Sequence, residues 1–343
     1  MKLLPTDDQR AMAQAVRDSL AKECPPEFLR STWGTQPPPR LWRSLAELGL
    51  FGLVVNERFG GLGGDERDAV GVLAETGRAA VPGPVVETFA ASYALQALER
   101  SALAERWMPP IAAGEATVSL GLADAPFVAS ADQADLLVLQ HGTELHAVPA
   151  AGVRTERQES IDGNRRLFSV AWEPGPSTLI ARGPAAEVII AGTRDRMLLG
   201  LSAQLTGLAR QLLDLSVRHV SVREQFGRPL GTFQAVQHRL ADVAVGIEFA
   251  VPVISRAACS LAADAPSASR DVAMAKVFAS EAAEEAAYSA LQVHGAIGYT
   301  REHDLHLYAL RAWTLALAHG DARRHRSRVA DELLSPRPVP RFP

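Results

Sequence analysis

Arg223-Glu224-Gln225-Phe226-Gly227-Arg228-Pro229-Leu230, continued by Phe233-Gln234-Ala235-Val236-Gln237-His238-Arg239-Leu240-Ala241-Asp242, is the first of two segments that decide the fold of this chain. The second is Gln292-Val293-His294-Gly295-Ala296-Ile297-Gly298-Tyr299-Thr300, followed by Glu302-His303-Asp304. Each interrupts or ends a long helical pattern. Apolar spacing predicts one helix over 194–225, a second over 234–262 and a third over 270–291. Pro252 is expected to kink the second. Residues 281–290 are rich in Ala and Glu, good helix formers.

Working outward, residues 6 to 113 also read as mostly helical. Asp7 to Leu20 and Leu41 to Leu50 carry apolar residues at helical spacing. Gly60-Gly61-Leu62-Gly63-Gly64 predicts tight turns, some with positive φ. Asp65 and Asp68 suit the positive start of the next helix, Val81-Pro82-Gly83-Pro84 ends it, and Val86 to Leu98 reads as another. From about 115 to 182 the period changes. Ala116–Ala123, Asp135–Gln140, Glu144–Ala150, Arg166–Trp172 and Ser177–Ala181 are short apolar runs separated by Gly, Asp, Pro or Asn. They predict a small antiparallel sheet or barrel, with Trp172 in its core.

The 343 residues suffice for two or three domains with a sizeable core. At 47% apolar and 22% charged the composition is that of an ordinary soluble globular protein. A net charge of −4 gives no reason to expect nucleic acid or a membrane surface as partner. Two cysteines, Cys24 and Cys259, build neither a disulfide framework nor a zinc site, and a cytoplasmic location is expected. The acidic start lacks the features of a signal peptide, and no apolar run of transmembrane length is read.

Arg-x-Gln-Phe-Gly-x-Pro with Phe-Gln and Gln-His, the Gln292 to Thr300 segment, and the order helices, small β region, helices resemble the acyl-CoA dehydrogenase flavoproteins. Leu48-Gly49-Leu50-Phe51-Gly52-Leu53 and the glycine cluster fit the same family. The resemblance implies a mainly α fold with a small β domain. Its parts are an N-terminal helical domain (1–113), a shortened middle antiparallel β domain (114–192), a C-terminal four-helix bundle (193–335) and a flexible tail (336–343). It further implies that the two motifs hold the adenine and pyrophosphate end of FAD across a subunit interface. The residues so implied are Arg223, Gln225, Phe226, Gln234, Gln292, Val293, His294, Gly295 and Gly298. A guanidinium matches pyrophosphate oxygens bidentately, and glycines let the backbone approach phosphate. One Arg near a helix end is ordinarily a surface charge, and one Gly after a helix an ordinary C-cap; neither explains a whole motif. Ala296 stands where the family usually has a second Gly. His238 reads equally well as a packing residue. Glu302, His303 and Asp304 read as polar contacts at a helix start, with no further metal ligands at the usual spacing.

In this family a carboxylate removes the α-proton of an acyl-CoA thioester and the flavin takes the β-hydrogen. His319, in Ala318-His319-Gly320-Asp321, occupies one family position for that Glu; the other falls near Met197. Asp195 lies close but out of register, between Arg194 and Arg196, which favour a salt bridge. His319 and Asp195 are therefore weak candidates for a base. The β region also lacks the family's usual Thr-Glu-Pro-x-x-Gly-Ser-Asp stretch; Gly121 to Ser130 stands there instead. A chain that keeps a neighbour's FAD clamp and loses its own ring contacts and base is similar to the short subunit of a heteromeric α2β2 acyl-CoA dehydrogenase. The implied partners are an acyl-CoA substrate, a full-length dehydrogenase subunit and an electron-transfer acceptor. The alternatives are a self-sufficient homomeric dehydrogenase using His319 or Asp195, and a flavin-free structural or binding subunit.

Overall fold

A computed structural model describes residues 3–98 and 102–334; the tail expected at 336–343 lies outside these residues. The N-terminal part holds α1 (Asp7–Glu23), α2 (Pro26–Ser31), α3 (Pro39–Glu47), α4 (Glu66–Arg78), α5 (Val85–Gln96) and α6 (Ala102–Ala112). Thr6 and Gln9 form a capping box on α1, and Asp65 and Asp68 form one on α4, as the acids at that helix start suggested. Gly60 and Gly63 take positive φ.

The middle part is two sheets. β1 (Val118–Gly121), β3 (Leu136–His141), β4 (Glu144–Pro149) and β7 (Leu179–Arg182) form one, in the order β1-β3-β4-β7. β2 (Val128–Ala129), β6 (Leu167–Ala171) and β5 (Arg154–Gln158) form the other, in that order. The region is not wholly antiparallel: β1 pairs with β3 in parallel, because the chain leaves the first sheet for β2 before returning. β5 was not foreseen. Its sequence, Arg-Thr-Glu-Arg-Gln, lacks an apolar alternation because it is an exposed edge strand. Trp172 packs partly buried against the second sheet's core and meets His146 edge to face, at 4.9 Å between ring centroids.

The long helix expected over 194–225 begins and ends earlier than the period change suggested. α7 runs from Gly183 to Val222, 40 residues, with a proline in its first turn where the missing N–H costs no hydrogen bond. A short hairpin follows, β8 (Glu224–Gln225) and β9 (Arg228–Pro229). Then come α8 (Gln234–Ala262), α9 (Ala268–His294), α10 (Leu305–Leu317) and α11 (Ala322–Leu334). α8 continues through Pro252. By length and composition α8 is apolar enough to cross a membrane, which the sequence reading did not expect, and 39% of its most apolar window is buried inside the molecule. Leu240, Val243, Ile247, Ala250 and Ile254 form its buried stripe, at helical spacing. One core cluster runs continuously from α1 through β1, β3 and β4 into α7–α10, so the three parts share an interior.

α4 and α7 cross at backbone contact. A Cβ on Gly207 would lie 1.8 Å from the Ala74 carbonyl oxygen, and one on Gly77 would lie 2.1 Å from that of Gln204. Gln204 Nε2 donates to Thr76 Oγ1 at 3.1 Å beside the crossing. Gly207→Ala is therefore expected to push two helices apart and to destabilise the protein by about 1–3 kcal/mol, as overpacking does. A denaturant titration measures this. An unchanged midpoint would mean that the helices do not cross this closely.

Candidate functional site: an exposed dinucleotide clamp and a closed inner site

Both sequence motifs lie at one end of the helical bundle. Val220 at the end of α7, Leu240 of α8 and Val293 of α9 form a small buried cluster, with Leu213, Leu230 and Val236 packed on it. This cluster fixes the hairpin and the end of α9 relative to one another. Phe226 and Gly227 are the two loop residues of the hairpin between Gln225 and Arg228. Their φ values, 55° and 79°, are both positive, as the tightest hairpin connection requires. For a phenylalanine this conformation is strained, and its ring is 89% exposed. Arg228 lies over the Phe233 ring at 4.1 Å, holding the base of the hairpin.

Arg223, the residue just past α7, is exposed, and no carboxylate pairs with it among the described residues. Gln225, Gln234, Gln292 and Gly295 are exposed as well. Gly295 ends α9 with φ 63° and ψ −139°, and a Cβ there would meet nothing within 4 Å. An unpaired guanidinium, amides and open backbone at one end of the bundle fit the phosphate end of a dinucleotide. Val293, His294 and Gly298 are buried instead. Val293 and His294 turn their side chains into the protein, so their place in the motif is to seat its backbone.

The inner site is different. Asp124 stands in the Gly121–Ser130 stretch, and its Oδ1 lies 3.3 Å from His319 Nδ1. Arg194 Nε donates to Asp124 Oδ2 at 3.2 Å. The His319 and Asp124 side chains are 5% and 6% exposed. Burial pushes the Asp124 carboxyl up, but the hydrogen bond and charge of His319 and the charge of Arg194 outweigh it and leave its pKa lowered. His319 has φ 55°, a second strained non-glycine backbone. Its loop is held from below. Lys276, fully buried in α9, donates to Ala316 O at 2.7 Å and Leu315 O at 3.0 Å, and His325 Nε2 donates to His319 O at 3.1 Å. The β-region loop and the loop before α11 therefore close directly on one another. Two cavities of about 650 Å³ open elsewhere, one beside Trp42 and Pro82 and one between α1, α4 and α8.

Asp195 is engaged by partners from two other helices. It is 5% exposed, accepts from Ser269 Oγ at 2.7 Å and pairs with Arg328 at 3.1 Å. Its neighbours in sequence do not pair with it: Arg194 turns to Asp124, and Arg196 pairs with Glu66 at 2.6 Å. Side chains adjacent along a helix point to different faces. Sequence reasoning missed Asp124 and also Glu87, a buried carboxyl in α5. Burial raises the pKa of Glu87 against the lowering charges that include His319 and Arg311. Nothing in the linear pattern of α5 marks that residue, because its partners lie in other domains.

Beside the two motifs sit three histidines. His294 stacks on His219 with ring centroids 4.2 Å apart and meets His303 at 4.7 Å. Burial lowers the pKa of His294 to about 4, with His219 and His303 adding to the effect and the hydrogen bond to Ala290 opposing it. Its ordinary value is 6.5, so between pH 6.5 and about 4 the unfolded chain binds this proton and the folded one does not. Stability from the neutral ring is thus complete above pH 6.5 and is lost as pH falls through that window. His325, also lowered to about 4, acts in the same direction. The unfolding midpoint is expected to drop from pH 6.5 toward 4, and to drop less in His294→Gln. Thermal melts across that range check both; equal slopes for the two proteins would contradict the assignment to His294.

The model of the acyl-CoA dehydrogenase N-terminal domain matches residues 6–115, and that of the C-terminal domain matches residues 193–334. Acyl-CoA dehydrogenase IpdE2 of Mycolicibacterium smegmatis is 33% identical over 331 residues, covering 96% of this chain and 99% of that protein. This chain belongs to the acyl-CoA dehydrogenase family, whose members are FAD-dependent flavoproteins acting on acyl-CoA. Among solved structures, a glutaryl-coenzyme A dehydrogenase complex superposes with a TM-score of 0.87 at 22% identity, covering 98% of each chain. A variant of the Tcur3481–Tcur3483 steroid acyl-CoA dehydrogenase gives 0.83 at 26% identity, covering 96% of this chain and 98% of that one.

Proposed function

We propose that this chain is the partner subunit of a heteromeric FAD-dependent acyl-CoA dehydrogenase that introduces an α,β double bond into a bulky acyl-CoA, in an α2β2 assembly. The observation that carries this reading is the contrast between its two sites. The dinucleotide clamp is outward and unpartnered, with Arg223 unpaired and Phe226 89% exposed. The inner site is shut by the Asp124, His319 and Arg194 cluster, and the catalytic Glu positions hold His319 and Met197. FAD, when bound, supplies the acceptor for the β-hydrogen. Arg223, Gln225, Gln234, Gln292 and the backbone at Gly295 hold its phosphate end. The catalytic carboxylate comes from the full-length subunit, and an electron-transfer acceptor reoxidises the flavin.

The outer face of the bundle agrees with such a partner. Val245 and Phe249, one turn apart on α8, are 52% and 64% exposed, and Tyr288 of α9 is 59% exposed. A bulky, steroid-like acyl group is suggested by the Tcur3481–Tcur3483 relative, whose substrate class its name states.

A second arrangement is favoured by one feature only. His319 hydrogen-bonded to a carboxylate has the form of an oriented base, as would serve a self-sufficient homomeric enzyme. Flavin content separates the two. FAD per chain is read from visible absorbance for the protein purified alone and co-purified with a full-length dehydrogenase subunit. Little FAD alone and about one per pair together is expected. Near one FAD per chain alone would overturn the heteromeric reading in favour of His319. No FAD in either preparation would mean a flavin-free structural subunit.

A further inference from the structure

We propose that His219, His294 and His303 form a binding site for a single divalent transition-metal ion of the zinc type, placed where the two clamp segments leave the bundle. The three side chains come from the last turn of α7, the last residue of α9 and the loop before α10. One ring nitrogen from each lies within 4.8 Å of the other two.

His294 is the anchor. It is 6% exposed, and its Nδ1–H donates to Ala290 O at 2.7 Å. That bond sets the tautomer and leaves Nε2 with a bare lone pair, as a backbone carbonyl does for most metal-bound histidines. Nε2 is buried and has no hydrogen-bond partner. A buried acceptor left unsatisfied is uncommon and calls for an occupant. His303 Nδ1 accepts the Leu305 N–H at 3.1 Å, so it too carries a lone pair rather than a proton. Burial lowers the pKa of all three rings and leaves them in the neutral form that binds metals.

The surrounding charge is mixed. Arg223 and Arg30 oppose a cation here, and Asp304, itself paired with Arg30, favours one. The carbonyl ends of two long helices, α7 and α9, also converge on the site, and helix C-termini favour cations. Three imidazoles and no carboxylate select zinc, cobalt, nickel or copper over magnesium or calcium. Three histidines with a fourth position open to water is an established zinc ligand set. Tetrahedral zinc with bonds near 2.0–2.1 Å holds its nitrogens roughly 3.4 Å apart. Binding therefore draws the half-buried His219 and His303 toward the fixed His294. The ion ties the end of α7 to the end of α9 and so braces Arg223 against Gly295. That consequence rests on the clamp reading; the metal site itself does not.

The test uses untagged, chelator-stripped protein titrated with Co²⁺ and followed by visible absorbance, with Zn²⁺ as competitor and no flavin present. One Co²⁺ per chain in a tetrahedral-type spectrum, displaced by Zn²⁺, is expected. His219→Gln and His294→Gln are each expected to weaken binding at least about 100-fold, the upper end of the loss from removing only a second-shell partner. His141→Gln, on the exposed end of β3, keeps full affinity. Circular dichroism establishes that each variant is folded, and half-buried His219 provides the test should His294→Gln not fold. No Co²⁺ or Zn²⁺ binding at millimolar concentration, or binding unchanged in folded His219→Gln, overturns the proposal.

Discussion

Arg223→Ala is expected to release FAD from the assembled enzyme while leaving this subunit folded. Arg223 follows the last residue of α7 and is exposed; its backbone N–H bonds to His219 O at 2.9 Å and its carbonyl accepts from Leu230 N at 2.8 Å. Alanine keeps both bonds. What is lost is a guanidinium that no carboxylate pairs with among the described residues. Hydrogen bonds to charged groups contribute about 1.5–3 kcal/mol each, and a fork to pyrophosphate makes two in one geometry. Because Arg223 is exposed and water competes for it, the two together are expected to contribute less than twice that, about 2–4 kcal/mol or roughly 30- to 1000-fold in affinity. Flavin absorbance per complex after gel filtration reads it directly. Arg223→Lys keeps the charge without the fork and is expected to fall between. Unchanged flavin content in Arg223→Ala would sink the clamp assignment.

Arg311→Met is expected to have the largest effect on stability, a loss of about 3–5 kcal/mol. Arg311 sits in α10 and pairs through Nε with Asp162 of the β region; the two side chains are 6% and 1% exposed. Its Nη1 also donates to Val81 O at 3.0 Å and Ala80 O at 3.2 Å, the carbonyls just past α4. One side chain thus joins all three parts of the molecule. Removing it leaves a buried carboxylate and two buried carbonyls without their donor. Replacing both partners, Arg311→Met with Asp162→Leu, is expected to recover much of the loss, because the unpaired charge rather than the missing pair carries most of the penalty. Chemical denaturation of the single and double variants measures the difference. A single variant as stable as the parent would show that the pair does not hold the parts together.

Much of this architecture is legible in the linear pattern. The 3.6-residue period placed α8 at its observed limits, 234–262, because a long helix with one buried stripe writes that stripe into the sequence. The acids at 65 and 68 marked a helix start for a local reason, the capping box. β5 and the early start of α7 were missed for equally physical reasons. An exposed edge strand needs no alternation, and a Gly-Pro pair reads as a break until the helix it begins is seen.

The candidate site divides along the same line. The two motifs stood out through their resemblance to the family; what local chemistry constrains is the turns at Phe226-Gly227 and Gly295, all of positive φ. Asp124 and His319, 195 residues apart, could not be paired in advance, nor could His219 with His294 and His303. Their meeting depends on how the β region and the helix ends pack on one another. By itself the sequence determined the helical and strand periods, the two motifs and the family. The tertiary structure decided which motif residues face outward, that Asp124 meets His319 and Arg194 in one ion cluster, and that three histidine rings lie together beside the motifs. Local preference acts over a few residues, whereas burial and pairing are set only when distant segments share a core.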